Sequence, residues 1–202
     1  MAPRTWRPAT IAVALVLVAL TASPAAADRN SQDSERGERT EPGASAVFEG
    51  TTFDLAESWG DATACMVWAE ASDTIECFAS EAELDARVAS LEAALGLAST
   101  NAIGSTQSFN GLNCSSYMKL YDGTSYSGTI LYLRSKYLWH NLSSYGFNQR
   151  TSSFKIGACS AYFADYSNGG GAWYPTYATQ AWDQSSSMIS GWNNDVSSVY
   201  IF

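Results

Sequence analysis

The chain is 202 residues long and carries 11 Lys plus Arg against 20 Asp plus Glu, a formal net charge of -9. That acidity argues against a nucleic-acid binder, which would present a basic face. A single His, His140, excludes multi-His metal sites and leaves any His-based triad one residue to use.

Residues 1–27 read as a secretory signal peptide. Arg4 and Arg7 form a positive start, Ile11 to Leu20 is an unbroken apolar run, and Ala25 to Ala27 are small residues suited to cleavage. The apolar run is too short to span a bilayer. The expectation is a secreted, extracellular protein with no membrane span, starting near Asp28, whose four Cys are free to pair. Residues 28–45 are rich in Asp, Glu, Arg, Ser and Gly, with no large apolar side chain before Val47, and read as a disordered acidic leader.

Residues 46–96 form a small unit with a readable core. Ala64 to Trp68 and Thr74 to Phe78 are short β-prone runs on either side of Glu70 to Asp73. A hairpin centred on Ala71 sets Cys65 opposite Cys77, where a disulfide can close. Ser80 and Glu83 make a capping box. Leu84, Val88, Leu91 and Leu95 follow at helical spacing, and Gly96 stops the run. Residues 97–110, mostly Ala, Ser, Thr, Asn and Gly, read as a linker. Two readings of the hairpin–helix unit stand side by side: an addition packed on the next domain, or a pro-segment removed at the linker.

Residues 111–202 are built differently. They hold all 11 Tyr and 19 of the 26 aromatic residues. They also contain an internal repeat. Tyr121 to Gly128 places an aromatic seven residues before a Gly, and Phe163 to Gly170 does so again 42 residues later. The segment Phe147 to Phe154 matches Trp192 to Val199 at a spacing of 45, and Trp139 matches Trp182 at 43. Short β-prone runs lie between frequent turn residues, which points to two Greek keys packed as a β-sandwich. Cys114 precedes the first copy and Cys159 the second, so a bridge between them suits the repeat; the other pairings of four Cys stay open.

The residues of this last unit resemble the βγ-crystallin family. That family's motif opens with an aromatic, a four-residue turn, an aromatic, one residue and Gly. Tyr121, Tyr126 and Gly128 match in full; Phe163 and Gly170 match in the second copy, with Asn168 in place of the inner aromatic. The family's calcium signature is two Asn/Asp, two variable residues, Ser/Thr, then Ser. Asn193 to Ser198 fits throughout, and Asn148 to Ser153 fits except at Gln149. The expected fold is therefore mainly β: a two-motif Greek-key β-sandwich, βγ-crystallin-like, preceded by a small disulfide-stapled hairpin plus one α-helix.

The resemblance implies Ca²⁺ as the bound ion, at two sites shared between motifs. One site would use Ser152 and the Arg150 carbonyl with the turn near Asp165; the other would use Ser197 and the Asp195 carbonyl with the turn near Asp122. Hydroxyls, carbonyls and a few carboxylates are ligands a hard cation accepts, at low affinity. The same Asn and Ser residues also cap turns with no ion present. The Arg150 charge makes the Ser197 site the better of the two.

The family also includes a bacterial branch of secreted peptidase inhibitors, among them a metalloproteinase inhibitor. This implies an extracellular protease as an alternative partner, with Asn168 to Trp173 as a candidate recognition loop. A third reading is glycan or cell-wall binding by exposed aromatics. Trp139, Trp182 and Trp192 recur at repeat positions and are expected in the core, whereas Trp173-Tyr174 is less constrained. An enzyme is not expected. His140 reads as a turn or surface residue, and no nucleophile elbow, zinc-protease helix or phosphate-cradling loop occurs.

Overall fold

A computed structural model describes residues 43–97 and 117–202. The signal peptide, the leader up to residue 42, the linker from residue 98 and Cys114 lie outside the described residues. Among the described residues the fold is mainly β, with two sheets and one α-helix of three to four turns.

The repeat builds the sandwich. Its first copy supplies β5 (Met118–Tyr121), β6 (Ile130–Leu133), β7 (Trp139–Asn141) and β8 (Ser153–Ile156). Its second copy supplies β9 (Ala161–Ala164), β10 (Trp173–Tyr174), β11 (Gln184–Ser185) and β12 (Ser198–Ile201). One sheet contains the order β11-β8-β5-β6 and the other is β10-β9-β12-β7. Each Greek key therefore gives its third strand to the sheet of the other. Alternating side chains from both sheets fill the space between them: Leu120, Leu131 and Phe154 from one meet Phe163, Val199 and Ile201 from the other.

The preceding segment does not stand apart. It contributes β1 (Ser45–Phe48), β2 (Thr51–Asp54), β3 (Ala64–Val67), β4 (Ile75–Phe78) and the helix α1 (Glu81–Ala94). β3 pairs with β6 in parallel, with Cys65 beside Leu131 and Val67 beside Leu133. The larger sheet thereby grows to eight strands in the order β11-β8-β5-β6-β3-β4-β1-β2. The β3–β4 hairpin has the expected register: Cys65 faces Cys77, and the two are bridged. Cys159 is also disulfide-bonded.

The β1–β2 hairpin was not anticipated. Its turn is the dipeptide Glu49-Gly50, both residues at positive φ, 49° and 80°. Two-residue hairpin turns demand that conformation, and the Gly supplies it at low cost.

The helix starts as its sequence dictates. The Ser80 hydroxyl accepts from the Glu83 N–H at 3.3 Å, and the Glu83 carboxylate accepts from the Ala79 N–H at 3.2 Å. Leu84 and Val88 are buried against Ala64, Met66, Trp68, Ile130 and Tyr132 on the outer face of the larger sheet. Leu95, expected on the buried stripe, is 47% exposed. It caps the helix, while Glu92 turns inward instead. Glu92 meets Arg134 at 2.6 Å, with side chains only 6% and 3% exposed, and the guanidinium lies 3.8 Å from the centroid of Trp68. Two further carboxylates of α1, Glu81 and Asp85, bind the Lys119 ammonium at 2.7 and 2.6 Å.

His140 is neither in a turn nor on the surface. It lies in β7, 2% exposed. Its Nε2 is 2.8 Å from the Ser135 carbonyl and its Nδ1 is 3.2 Å from the Tyr145 hydroxyl. Nε2–H donating and Nδ1 accepting is an arrangement only neutral imidazole can make. Burial holds the ring's pKa below its ordinary value, against the opposing pull of the Ser135 carbonyl and the Glu70 charge.

Two outcomes are expected. Glu92→Ala leaves the Arg134 charge buried without its carboxylate, and a urea melt will show a loss of about 3–5 kcal/mol. His140 is neutral when folded and takes up a proton more readily when unfolded. Its contribution is fully present above the unfolded value of about 6.5 and is lost as pH falls from there toward the folded value. The melting temperature will drop as pH falls below about 6.5, and His140→Gln will flatten that slope.

Candidate metal centre

Two six-residue loops, Asn148 to Ser153 and Asn193 to Ser198, lie side by side. The Gln149 N–H donates to the Val196 carbonyl at 2.9 Å, and the Asn194 N–H donates to the Thr151 carbonyl at 3.0 Å. Gln149 and Asn194 occupy the left-handed region at φ 54° and 58°, where Asn is among the better tolerated residues. The Ser152 hydroxyl reaches across to the Asn194 side-chain carbonyl at 2.9 Å.

The last Ser of each loop ties it to the early turn of its own motif. The Ser153 hydroxyl donates to the Gly123 carbonyl at 2.6 Å and accepts from the Tyr126 N–H at 3.1 Å. Ser198 does the same with the Tyr166 carbonyl at 2.6 Å and the Gly169 N–H at 3.0 Å. Within the turns, Asp122 accepts from the Thr129 N–H at 2.6 Å and Asp165 from the Ala172 N–H at 2.7 Å. Gly128 and Gly171, at φ 81° and 75°, sit over these carboxylates, where a Cβ would collide with them.

These contacts correct the repeat's register. Asp122 corresponds to Asp165 and Gly128 to Gly171, a spacing of 43 rather than 42. Ala164, not Phe163, stands in the place of Tyr121, and Gly169 in the place of Tyr126. Phe163 is instead fully buried between the sheets. The second turn is thus made without either signature aromatic. Trp139 corresponds to Gln184, not to Trp182: Trp139 pairs with Tyr200 as Gln184 pairs with Lys155. Of the three tryptophans expected in the core, only Trp192 packs against it. Trp182 is 49% exposed, and Trp139 lies on the outer face of its sheet.

The six anticipated ligand residues are distributed as follows. Ser152 and Arg150 lie against the turn of Asp122: the Ser152 N–H donates to the Tyr121 carbonyl at 2.8 Å, and Arg150 binds Asp122 at 2.6 Å. Ser197 lies against the turn of Asp165, its N–H donating to the Ala164 carbonyl at 2.8 Å. Contacts among the described residues thus link each loop to the turn of its own motif. Each loop is also tied to the other motif: the Ser152 carbonyl accepts from the Met188 N–H at 2.7 Å and the Ser197 carbonyl from the Leu142 N–H at 2.9 Å. Further cross-motif links run from the Ser125 N–H to the Ser186 carbonyl at 2.7 Å and between the Asn141 and Asn168 amides.

The two loops differ in charge. The Arg150 guanidinium is clamped between the Gly146 carbonyl at 2.7 Å and Asp122, whose other oxygen is held by Thr129. A fixed positive charge and an already engaged carboxylate do not fit a second cation. Asp195 occupies the corresponding position in the other loop, beside Ser197. Those residues fit a hard, oxygen-seeking cation. Among the described residues no group of three or more His, Cys, Asp or Glu could hold a metal ion, so hydroxyls and carbonyls would supply most ligands.

Two Greek keys with exchanged third strands define a βγ-crystallin-like sandwich. No family model and no curated protein matches the chain. Solved structures that resemble it are βγ-crystallin domains. One, from work on the evolution of the eye-lens domain fold, is 17% identical with a TM-score of 0.39, covering 47% of this chain and 93% of that one. A βγ-crystallin domain from Flavobacterium johnsoniae is 24% identical with a TM-score of 0.35, covering 42% and 92%. A βγ-crystallin from Ciona intestinalis is 19% identical with a TM-score of 0.34, covering 42% and 96%. No described helix is long and apolar enough to cross a membrane.

The correspondence between the loops carries a further expectation. Thr151 is fully buried, and its hydroxyl has no hydrogen-bond partner among the described residues. Val196 fills the same place in the other loop and is also fully buried. Thr151→Val removes an unsatisfied hydroxyl at nearly constant volume, and a denaturant melt will show a gain of about 1 kcal/mol.

Proposed function

We propose that this is a secreted βγ-crystallin-like protein that binds one Ca²⁺ ion at the loop Asn193 to Ser198. The observation that carries the reading is the exchange of Arg150 for Asp195 between otherwise matching loops. In the first loop the guanidinium already neutralises Asp122. In the second, Asp195 and Ser197 offer oxygen at the corresponding points, next to the turn of Asp165. The bound ion would join loop and turn, adding a link to a junction that hydrogen bonds alone hold in its absence. Few carboxylates serve the site, so affinity falls in the range of extracellular modules, on the order of 10⁻⁴ to 10⁻³ M.

Calorimetry and thermal melts of the purified protein, in Ca²⁺ and in chelator, test this. The expected result is about one site per chain and a melting temperature raised by Ca²⁺. Asp195→Asn and Ser197→Ala will each weaken binding, while Arg150→Lys will leave it unchanged. No heat and no thermal shift up to about 10 mM, well above that affinity range, would remove calcium from the reading. Two equivalent sites would overturn the role given to Arg150.

A further inference from the structure

The outer face of the smaller sheet is made of aromatic rings. Trp139 on β7, Tyr200 on β12, Tyr162 on β9, Trp173 on β10 and the adjoining Phe202 touch in a closed circuit. Centroid separations are 5.4 Å for Trp139–Tyr200, 6.0 Å for Tyr200–Phe202 and 5.5 Å for Phe202–Tyr162. They are 4.8 Å for Tyr162–Trp173 and 5.5 Å for Trp173–Trp139. Trp173 is 45% exposed, and the other four are half-buried.

The repeat supplies an internal control. Strand pairing places Lys119, Lys155, Ile130 and Gln184 on the larger sheet where Tyr162, Tyr200, Trp173 and Trp139 stand on the smaller one. At these four places the helix-covered face carries no aromatic; its own rings, Trp68, Tyr121 and Tyr132, stand at other positions. On the larger sheet α1 covers Ile130 and binds Lys119. On the smaller sheet no described element covers the rings, yet four of these positions are Tyr or Trp.

Charge and geometry select the occupant. The four strands of the smaller sheet hold no Asp, Glu, Lys or Arg, in a chain of net charge -9. An uncharged face on an acidic protein offers nothing to a basic peptide, and the whole molecule repels an anionic polymer. The rings are also fixed in advance. The Trp173 indole N–H donates to the Gly169 carbonyl at 2.6 Å, and Trp139 lies so close over Gly169 that a Cβ there would strike its indole. Rigid rings with polar tips bind at low entropic cost. The Asn141 and Asn168 amides form a polar rim at one end. Apolar ring faces bordered by hydroxyl and amide groups complement a pyranose, which is apolar on its C–H face and polar around its edge.

We propose that the outer face of the smaller sheet, centred on Trp139, Tyr162, Trp173 and Tyr200, is a binding platform for a neutral polysaccharide. The sugar rings stack on the aromatic faces and hydrogen-bond to the Tyr hydroxyls and the Asn rim. The proposal does not depend on calcium.

Depletion of the purified protein by insoluble cellulose and chitin gives binding isotherms, and titration with the corresponding soluble oligosaccharides reads Trp fluorescence. Saturable retention on at least one polymer and a fluorescence change are expected. Trp173→Ala, and the double variant Tyr162→Lys with Tyr200→Lys, will each lower affinity by about tenfold or more. Circular dichroism melts establish that each variant is folded. Absence of both retention and fluorescence change in the unmutated protein overturns the proposal. So does undiminished retention by folded variants. A concentration-dependent dimer in sedimentation that the same variants abolish, without polymer retention, would assign the face to a second copy instead.

Discussion

Neither Greek key can complete a sheet alone. β7 leaves the first motif to pair with β12, and β11 leaves the second to pair with β8. This exchange makes the two copies one folding unit with one core, and it brings the two serine-rich loops together. The reciprocal hydrogen bonds between those loops, the ties from Ser153 and Ser198, and the aspartate-held turns all follow from it. The left-handed residues in loops and turns persist because neighbours on two sides determine them.

The internal two-fold relation is broken on the outside. On the larger sheet, Lys119 and Lys155 face each other directly across β5 and β8. Like charges in that arrangement repel. The first turns of α1 answer with Glu81 and Asp85 on Lys119, and Lys155 settles over the Tyr126 ring at 4.4 Å. Part of the acidity concentrated in residues 46–96 thus has a local purpose: Glu81, Asp85 and Glu92 neutralise cations on the outer face of the sandwich. The same segment closes a buried pair at Glu92–Arg134 and a parallel ladder at β3–β6. A pair so deeply buried adds little net stability once its desolvation is counted, but it fixes where the helix sits.

Much of this was legible in the chain. The Cys65–Cys77 bridge could be read because antiparallel pairing ties register to the turn, and the helix because its cap and apolar spacing are local signals. The two-motif sandwich showed itself as a repeat. Aligning its aromatics puts the second copy one residue out of register, because backbone geometry there is set by Asp165 and Gly171. Phe163 looked like a signature residue and is a core residue one position away. The β1–β2 hairpin left a faint signal in Glu49-Gly50. The buried Glu92 and Arg134 are 42 positions apart and left none. The Arg150–Asp122 pair is likewise a tertiary fact. Arg150 could be seen as unfavourable to a cation, but not that it already holds the carboxylate of the opposite set. Repeat spacing also misplaced Trp139 and Trp182, since the interval that relates β7 to β11 is set by strand pairing, where Trp139 matches Gln184 and not Trp182.

The parallel ladder between β3 and β6 has one more effect. Without it, β6 would form the open border of its sheet, and β6 is Ile130-Leu131-Tyr132-Leu133, apolar and β-prone throughout. Such a strand is a template for other chains. The added strands move that border outward to β2, which is Thr51-Thr52-Phe53-Asp54, and the border at the other end is β11, only two residues long. The smaller sheet likewise ends in β10 and β7, of two and three residues. Beyond anchoring the helix, the N-terminal strands act as a solubility device, exchanging a sticky margin for a short, polar one at which growth into fibres has little to build on.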